Sequence, residues 1–121
     1  MKYEWIDDYC LSKQGVIKDF KMEWEASRFL IGAKMFVMMG FKKEKQEIIS
    51  LKLNPEYGLL LRSEYDDIKS GYYLNKDHWN SINLNGNLPD DLLKELIDQS
   101  YQLVINTFSK KQQEKIRNKS T

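Results

Sequence analysis

The six residues NKDHWN, Asn75 to Asn80, hold the chain's one histidine and one of its three tryptophans beside a lysine, an aspartate and two asparagines. Side chains of these types can meet nucleic acid. Lys76 can pair with a phosphate, Asn75 and Asn80 can donate to phosphates or base edges, Trp79 can stack or wedge, and His78 adds charge at lower pH. The same residues can equally fix a loop. In that arrangement Trp79 fills the core between a sheet and a helix, while Asn75, His78 and Asn80 bond the backbone around them. A tryptophan flanked by asparagines is more commonly packing plus turn chemistry, and a mixed outcome has Trp79 buried with Lys76 presented.

A histidine next to an aspartate also invites catalysis, which requires a nucleophile and an oriented base within mutual reach. The chain offers only Cys10 and His78, with no GxSxG motif. One histidine and one cysteine without CxxC or HxxxH spacing cannot make a typical zinc set, and no GxxxxGK[ST] or GxGxxG loop cradles phosphate. Asp66-Asp67 and Asp90-Asp91 suit a turn and a helix start. We therefore expect no enzyme, no metal site and no cofactor.

A second group of cations, Lys42, Lys43 and Lys45, falls in the charged run KKEKQ. It could act as a wing that touches a duplex backbone, although a soluble hairpin tip looks the same. A third group lies at the C-terminus, where Lys110, Lys111, Lys115, Arg117 and Lys119 oppose only Glu114. The whole chain carries +1, so this segment at +4 leaves residues 1–109 at −3. We expect one domain over 1–109 and a basic tail or helix end over 110–121. A continuous positive stripe across Lys34, Lys42, Lys43 and Lys76 would favour nucleic acid. A neutral apolar patch, with adaptable side chains such as Met35, Met38 and Met39, would favour a protein partner or dimer.

The elements that must position these groups follow from periodicity. Trp5, Ile6, Tyr9 and Cys10 recur at helical spacing between Lys2 and Leu11, which places Cys10 in the core. Phe20, Met22 and Trp24 alternate with charge, as a strand or an extended loop would. RFLI and KMFVMMGF meet at Gly32-Ala33 and predict a hairpin with a type II′ turn. EIISLKL predicts a third strand with Ile49, Leu51 and Leu53 on one face. Asn54-Pro55 starts a helix over about 55–64, and two short strands, around GYYLN and SINL, flank NKDHWN. In LPDDLLKELIDQSYQLVINTF, Leu93, Leu96, Ile97, Ser100, Tyr101, Val104 and Phe108 form one helical stripe. The fold class is α+β: two layers, an antiparallel sheet with helices on one face, in the order α-β-β-β-α-β-β-α. The long helix should pack on a sheet that includes Phe36 and Leu51.

At 121 residues, 41% apolar and 31% charged, the chain has the composition of an ordinary single domain. No apolar run reaches the ~18–20 residues that span a bilayer. The acids that interrupt MKYEWIDDYC and the lone Cys10 favour a reducing, cytoplasmic setting.

Four segments, IGAKMF, ISLKLNPE, GYYLNKDHWNSINLNG and LPDDLLKELIDQSYQLV, resemble the MmcQ/YjbR family in the same order. The likeness runs from about residue 15 to 108, with Asn87 where the family commonly has serine or aspartate. It implies a two-layer domain grouped with frataxin-like (CyaY-like) or secretion-chaperone-like folds, and DNA binding through a double-wing arrangement. Iron binding of the frataxin kind would need an acidic ridge, of which Glu4, Asp7 and Asp8 are a thin version. The combined expectation is a small non-enzymatic domain that binds duplex DNA weakly and with little sequence preference. Its candidate contacts are Lys42, Lys43, Lys45, Asn75, Lys76, His78, Trp79 and Asn80. The alternative is a protein-interaction module that uses an exposed sheet face.

Overall fold

The computed structural model describes residues 2–42, 45–71 and 74–118. Its elements are α1 (Ile6–Leu11), β1 (Val16–Lys21), a 3-10 turn (Met22–Trp24), β2 (Ala26–Ile31), β3 (Lys34–Phe41), β4 (Glu47–Lys52), α2 (Pro55–Glu64), β5 (Ile68–Ser70), β6 (Trp79–Asn83), α3 (Asp90–Ile105) and α4 (Lys110–Asn118). The strands form one antiparallel sheet in the order β1-β2-β3-β4-β6-β5. The α+β class and the single helical layer agree with the periodicity. The order differs by an added first strand and an added last helix.

Register decides which side chains meet the helices, because a strand alternates faces residue by residue. Val37, Leu51 and Asn80 align across three strands, and Met39, Ile49, Ile82 and Ile68 across four. These two rows lie under the helices. Met38, Ser50, Ser81 and Lys69 form the intervening row on the other face. Between β2 and β3 the pairing steps from Phe29–Val37 to Leu30–Met35, which leaves Phe36 as the extra residue of a bulge. Phe36 and Val37 are consequently both buried in the core.

α3 covers this inner face with Leu93, Leu96, Ile97, Ser100 and Val104 buried, the stripe expected from spacing. Ser100 is the polar member of that stripe. Its Oγ donates to the bulged Phe36 carbonyl (2.6 Å) and accepts from the Lys52 amide (2.8 Å), so one hydroxyl joins helix, β3 and β4. Tyr101 meets Phe36 edge-on with centroids 5.5 Å apart. α2 begins as predicted, with Asn54 accepting from the Glu56 amide at 3.0 Å and proline at the first helical position.

Three local features differ from expectation. Both hairpin residues have positive φ, 51° at Gly32 and 71° at Ala33, so the turn is type I′ rather than type II′. Alanine holds the second position against the left-handed penalty because the twist of the flanking strands demands that geometry. The first extended segment is a strand only to Lys21; Met22–Trp24 coil into a 3-10 turn that ends at Glu25 with φ 49°. The strand expected around GYYLN lies upstream at β5, and Tyr72 and Tyr73 fall outside the described residues.

The basic C-terminal segment is a helix of its own, α4. Ser109 starts it with a reciprocal capping box: the Gln112 amide donates to Ser109 Oγ (3.2 Å) and the Ser109 amide to Gln112 Oε1 (3.0 Å). Its Ile116 is buried in the main core, over Gly15 and beside the Gly32 turn. A Cβ at Gly15 would collide with Ile116, and φ of 74° there already favours glycine. Among the described residues no helix is long and apolar enough to cross a membrane.

Candidate nucleic-acid interface

The NKDHWN segment is a turn leading into β6, and its polar groups divide between holding the turn and facing water. Asn75 Oδ1 accepts from the Asp77 amide (2.9 Å), the Asn75 carbonyl from the Trp79 amide (2.9 Å), and the His78 carbonyl from the Leu53 amide (2.8 Å). This is the Asx geometry that lets a short polar side chain replace a backbone partner. Lys76, Asp77 and His78 are exposed.

Asn80 is withdrawn from the surface. It is fully buried, because Ile82 and Leu84 put their parity under the helices. Its Oδ1 accepts from Arg62 of α2, its Nδ2 donates to the His78 carbonyl (3.3 Å), and Gly58 leaves room for it. Asn80 therefore anchors α2 to the sheet. Trp79, one residue earlier, faces away from the helices. It is half-buried, opposite Lys52, with Gly71 against its backbone (N–H to O 2.7 Å). It does not fill the space between sheet and helix.

The candidate lysines do not converge. β4 runs antiparallel to β6, with Lys52 opposite Trp79 and Ile48 opposite Asn83. The turn bearing Lys76 and His78 thus lies at one end of the sheet, and the 42–46 loop with Lys42 and Lys45 at the other. Lys43 and Lys119 lie outside the described residues. Lys34 opens β3 at the Lys76 end, donates to Thr107 Oγ1 (2.7 Å) and sits 4.6 Å over the Phe108 ring. α4 docks at this same end through Ile116, Gly15 and Gly32. Lys34, Lys52, Lys76, Lys110, Lys111, Lys115 and Arg117 gather there against Glu56, Asp77 and Glu114. The helix that the tail becomes adds Lys110, Lys111, Lys115 and Arg117 to this end, and the 42–46 loop adds none. Ser109 and Gln112, three apart, were the sequence signal for that helix.

Elsewhere the ionisable groups serve packing. Burial, then the charge of Asp7, pushes the Cys10 thiol up to about 12, which leaves it a core group without thiolate reactivity. Tyr9 rises to about 12 through burial and its bond to Asp98. Arg28 grips Asp19 on the neighbouring strand with two bonds (2.8 and 2.6 Å), which lowers the carboxyl pKa. Among the described residues no three His, Cys, Asp or Glu side chains converge to hold a metal ion.

The family model YjbR matches residues 11–103. The uncharacterised protein YjbR of Escherichia coli K12 is 35% identical over 98 residues, spanning 81% of this chain and 82% of its own. The uncharacterised protein YbdF of Escherichia coli O157:H7 is 36% identical over 89 residues, 74% of this chain and 72% of that one. A Deinococcus radiodurans crystal structure with a DUF419 domain superposes with a TM-score of 0.82 at 30% identity, covering 92% of this chain and 84% of the other. A Pseudomonas syringae crystal structure gives 0.71 at 28% identity, over 85% and 98%. Matched along the strands and α3 in sequence and superposing on solved structures in fold, the chain belongs to the YjbR family.

Proposed function

We propose that this domain binds the phosphate backbone of duplex DNA weakly and with little sequence preference, through the basic end of its sheet. The observation that carries the reading is the gathering of exposed cations from β3, the NKDHWN turn and α4 at one end, in a chain whose total charge is only +1. Lysines act there as point charges on phosphates, and the half-buried Trp79 beside Lys52 supplies an apolar edge for sugar contact. The contact set is thereby revised: Lys34, Lys52, Lys76, His78 and the α4 cations enter or stay, while Asn80, Lys42 and Lys45 leave.

About three to five phosphates neutralised correspond to a log–log salt slope of roughly −3 to −4.5 and non-specific dissociation constants near ~10⁻⁴ to 10⁻⁶ M. Titration of labelled duplexes of unrelated sequence at two salt concentrations tests this. Lys76→Ala and Lys34→Ala should each make the slope shallower by about one unit, uniformly across sequences, whereas Lys45→Ala should leave it unchanged. No binding at low salt with ~100 µM protein would refute DNA binding. Equal effects of Lys45→Ala and Lys76→Ala would refute the assignment to one end.

A further inference from the structure

At the end of the sheet opposite Lys34, Lys76 and α4, on the face away from the helices, lies a cleft of about 490 Å³. That volume falls in the range of small-molecule sites, roughly 300 to 1,000 Å³. Its floor is Ala26 of β2, Met38 and Gly40 of β3 and Ile48 of β4. Leu74 and Trp24 form walls, and Glu23 and Glu25 complete the lining.

The floor is low because the two smallest residues meet there. A Cβ added at Gly40 would stand 3.2 Å from the Ala26 Cβ, so a larger pair would raise the surface into the cleft. No positive φ requires glycine at position 40, and the space above the strand is what its missing side chain provides. The wall is equally specific. Glu25 adopts φ 49° and donates its N–H to the Met22 carbonyl (3.1 Å), closing the 3-10 turn that stands Trp24 beside the floor. A non-glycine residue held in that region points to a turn fixed by its surroundings. Trp24 is 48% exposed, an unusual condition for an indole with apolar surface at hand.

Two features specify charge. The Trp24 ring already draws cations, with Lys21 Nζ at 5.7 Å and the Arg28 guanidinium at 5.8 Å from its centroid. Lys21 also pairs with Glu23 at 3.3 Å, yet among the described residues no cation pairs with Glu25. A carboxylate that no described cation pairs with, beside an exposed indole and above an apolar floor, is complementary to a cationic head on an apolar body.

We propose that this cleft binds a small organic cation, an ammonium or guanidinium group carried on an apolar body, with Glu25 and Trp24 taking the head and the floor taking the body. The proposal does not rest on the DNA reading, whose contacts lie at the other end of the sheet. The test is an amide-correlation NMR titration with phenethylammonium chloride and with 3-phenylpropionate, a probe of similar shape and opposite charge. The expected result is saturable shifts at Ala26, Gly40, Ile48 and Leu74 with the cation only, and affinity reduced about threefold to tenfold in Trp24→Leu and in Glu25→Gln. Equal shifts with both probes, shifts scattered outside the cleft, or unchanged affinity in Glu25→Gln would overturn it. So would an absence of saturation by ~10 mM probe, a concentration far above that of a useful site. A lysine-containing apolar hexapeptide that shifts the same amides when phenethylammonium does not would replace the small ligand with a peptide. Glu25→Gln leaves the left-handed backbone and the fold in place, so its result reads charge alone.

Discussion

At the end where β3 and β6 begin, exposed Lys34, Lys76 and the α4 cations outnumber nearby acids. At the end where β3 finishes, Glu23, Glu25 and Glu47 stand with Lys21, Lys42 and Lys45 around exposed Phe20, Trp24 and Phe41. Both ends are carried by the same strands and covered by the same α3. The difference lies in the connections between strands: a short polar turn and a docked basic helix at one end, a 3-10 turn and a charged loop at the other. A formal charge of +1 averages these two surfaces to nearly nothing. Composition excluded a basic protein and was silent on a basic end.

The largest expected effect tests whether the two ends share one cooperative scaffold. Leu96, fully buried on α3, should cost about 2 to 5 kcal/mol when replaced by alanine, with both ends melting together. Chemical denaturation followed at Trp24 and at a label on α4 measures this, and separate transitions would show that the ends fold independently. Ile116→Ala comes next, at about 1 to 3 kcal/mol. It should loosen α4 and make the DNA salt slope shallower by about one to two units, while leaving the cleft amides of Ala26 and Gly40 unshifted. Shifts at the cleft would break the comparison.

Trp79→Ala separates packing from contact at the basic end. A half-buried tryptophan on the far face of the sheet should cost about 1 to 3 kcal/mol, less than the ~3 to 5 of a fully buried one. A normal melt with reduced DNA binding would make Trp79 chiefly a contact residue. The smallest effect is a gain. At Ala33, relief of a left-handed penalty of about 1 to 2 kcal/mol exceeds the entropy cost of glycine, so Ala33→Gly should stabilise by about 0.5 to 1 kcal/mol. A thermal melt reads the sign.

The inner layer was legible because burial writes itself as period. The α3 stripe from Leu93 to Val104, the Ile49–Leu51–Leu53 face and the Asn54-Pro55 start stand where spacing put them, while Phe108 lies past the end of α3 at Ile105. Parity also held the answer at Trp79. Ile82 and Leu84 are apolar at even positions, so a strand begun two residues earlier turns Asn80 inward and Trp79 outward. Treating NKDHWN as a loop between strands hid that. Other features depend on partners distant in sequence. The bulge at Phe36 is recognisable only once Ser100 is seen to take up its carbonyl, and Gly15 needs Ile116, about a hundred residues away, to explain it. The convergence of Lys34 and Lys76, and the separation of Lys42 from both, follow from strand direction, which no local pattern encodes.

The length of β4 has an electrical consequence. Six residues from Glu47 to Lys52 at about 3.3 Å each hold the acidic and basic ends roughly 20 Å apart. The Debye length is about 8 Å at physiological ionic strength and about 30 Å near 10 mM salt. In ordinary buffer the two ends are screened from each other, and a polyanion at one leaves the potential at the other unchanged. In dilute buffer the same molecule behaves as a single dipole, which turns its basic end toward a polyanion before contact, and the field of the bound polyanion then reaches the far end and adds to the pull of its acids on cations.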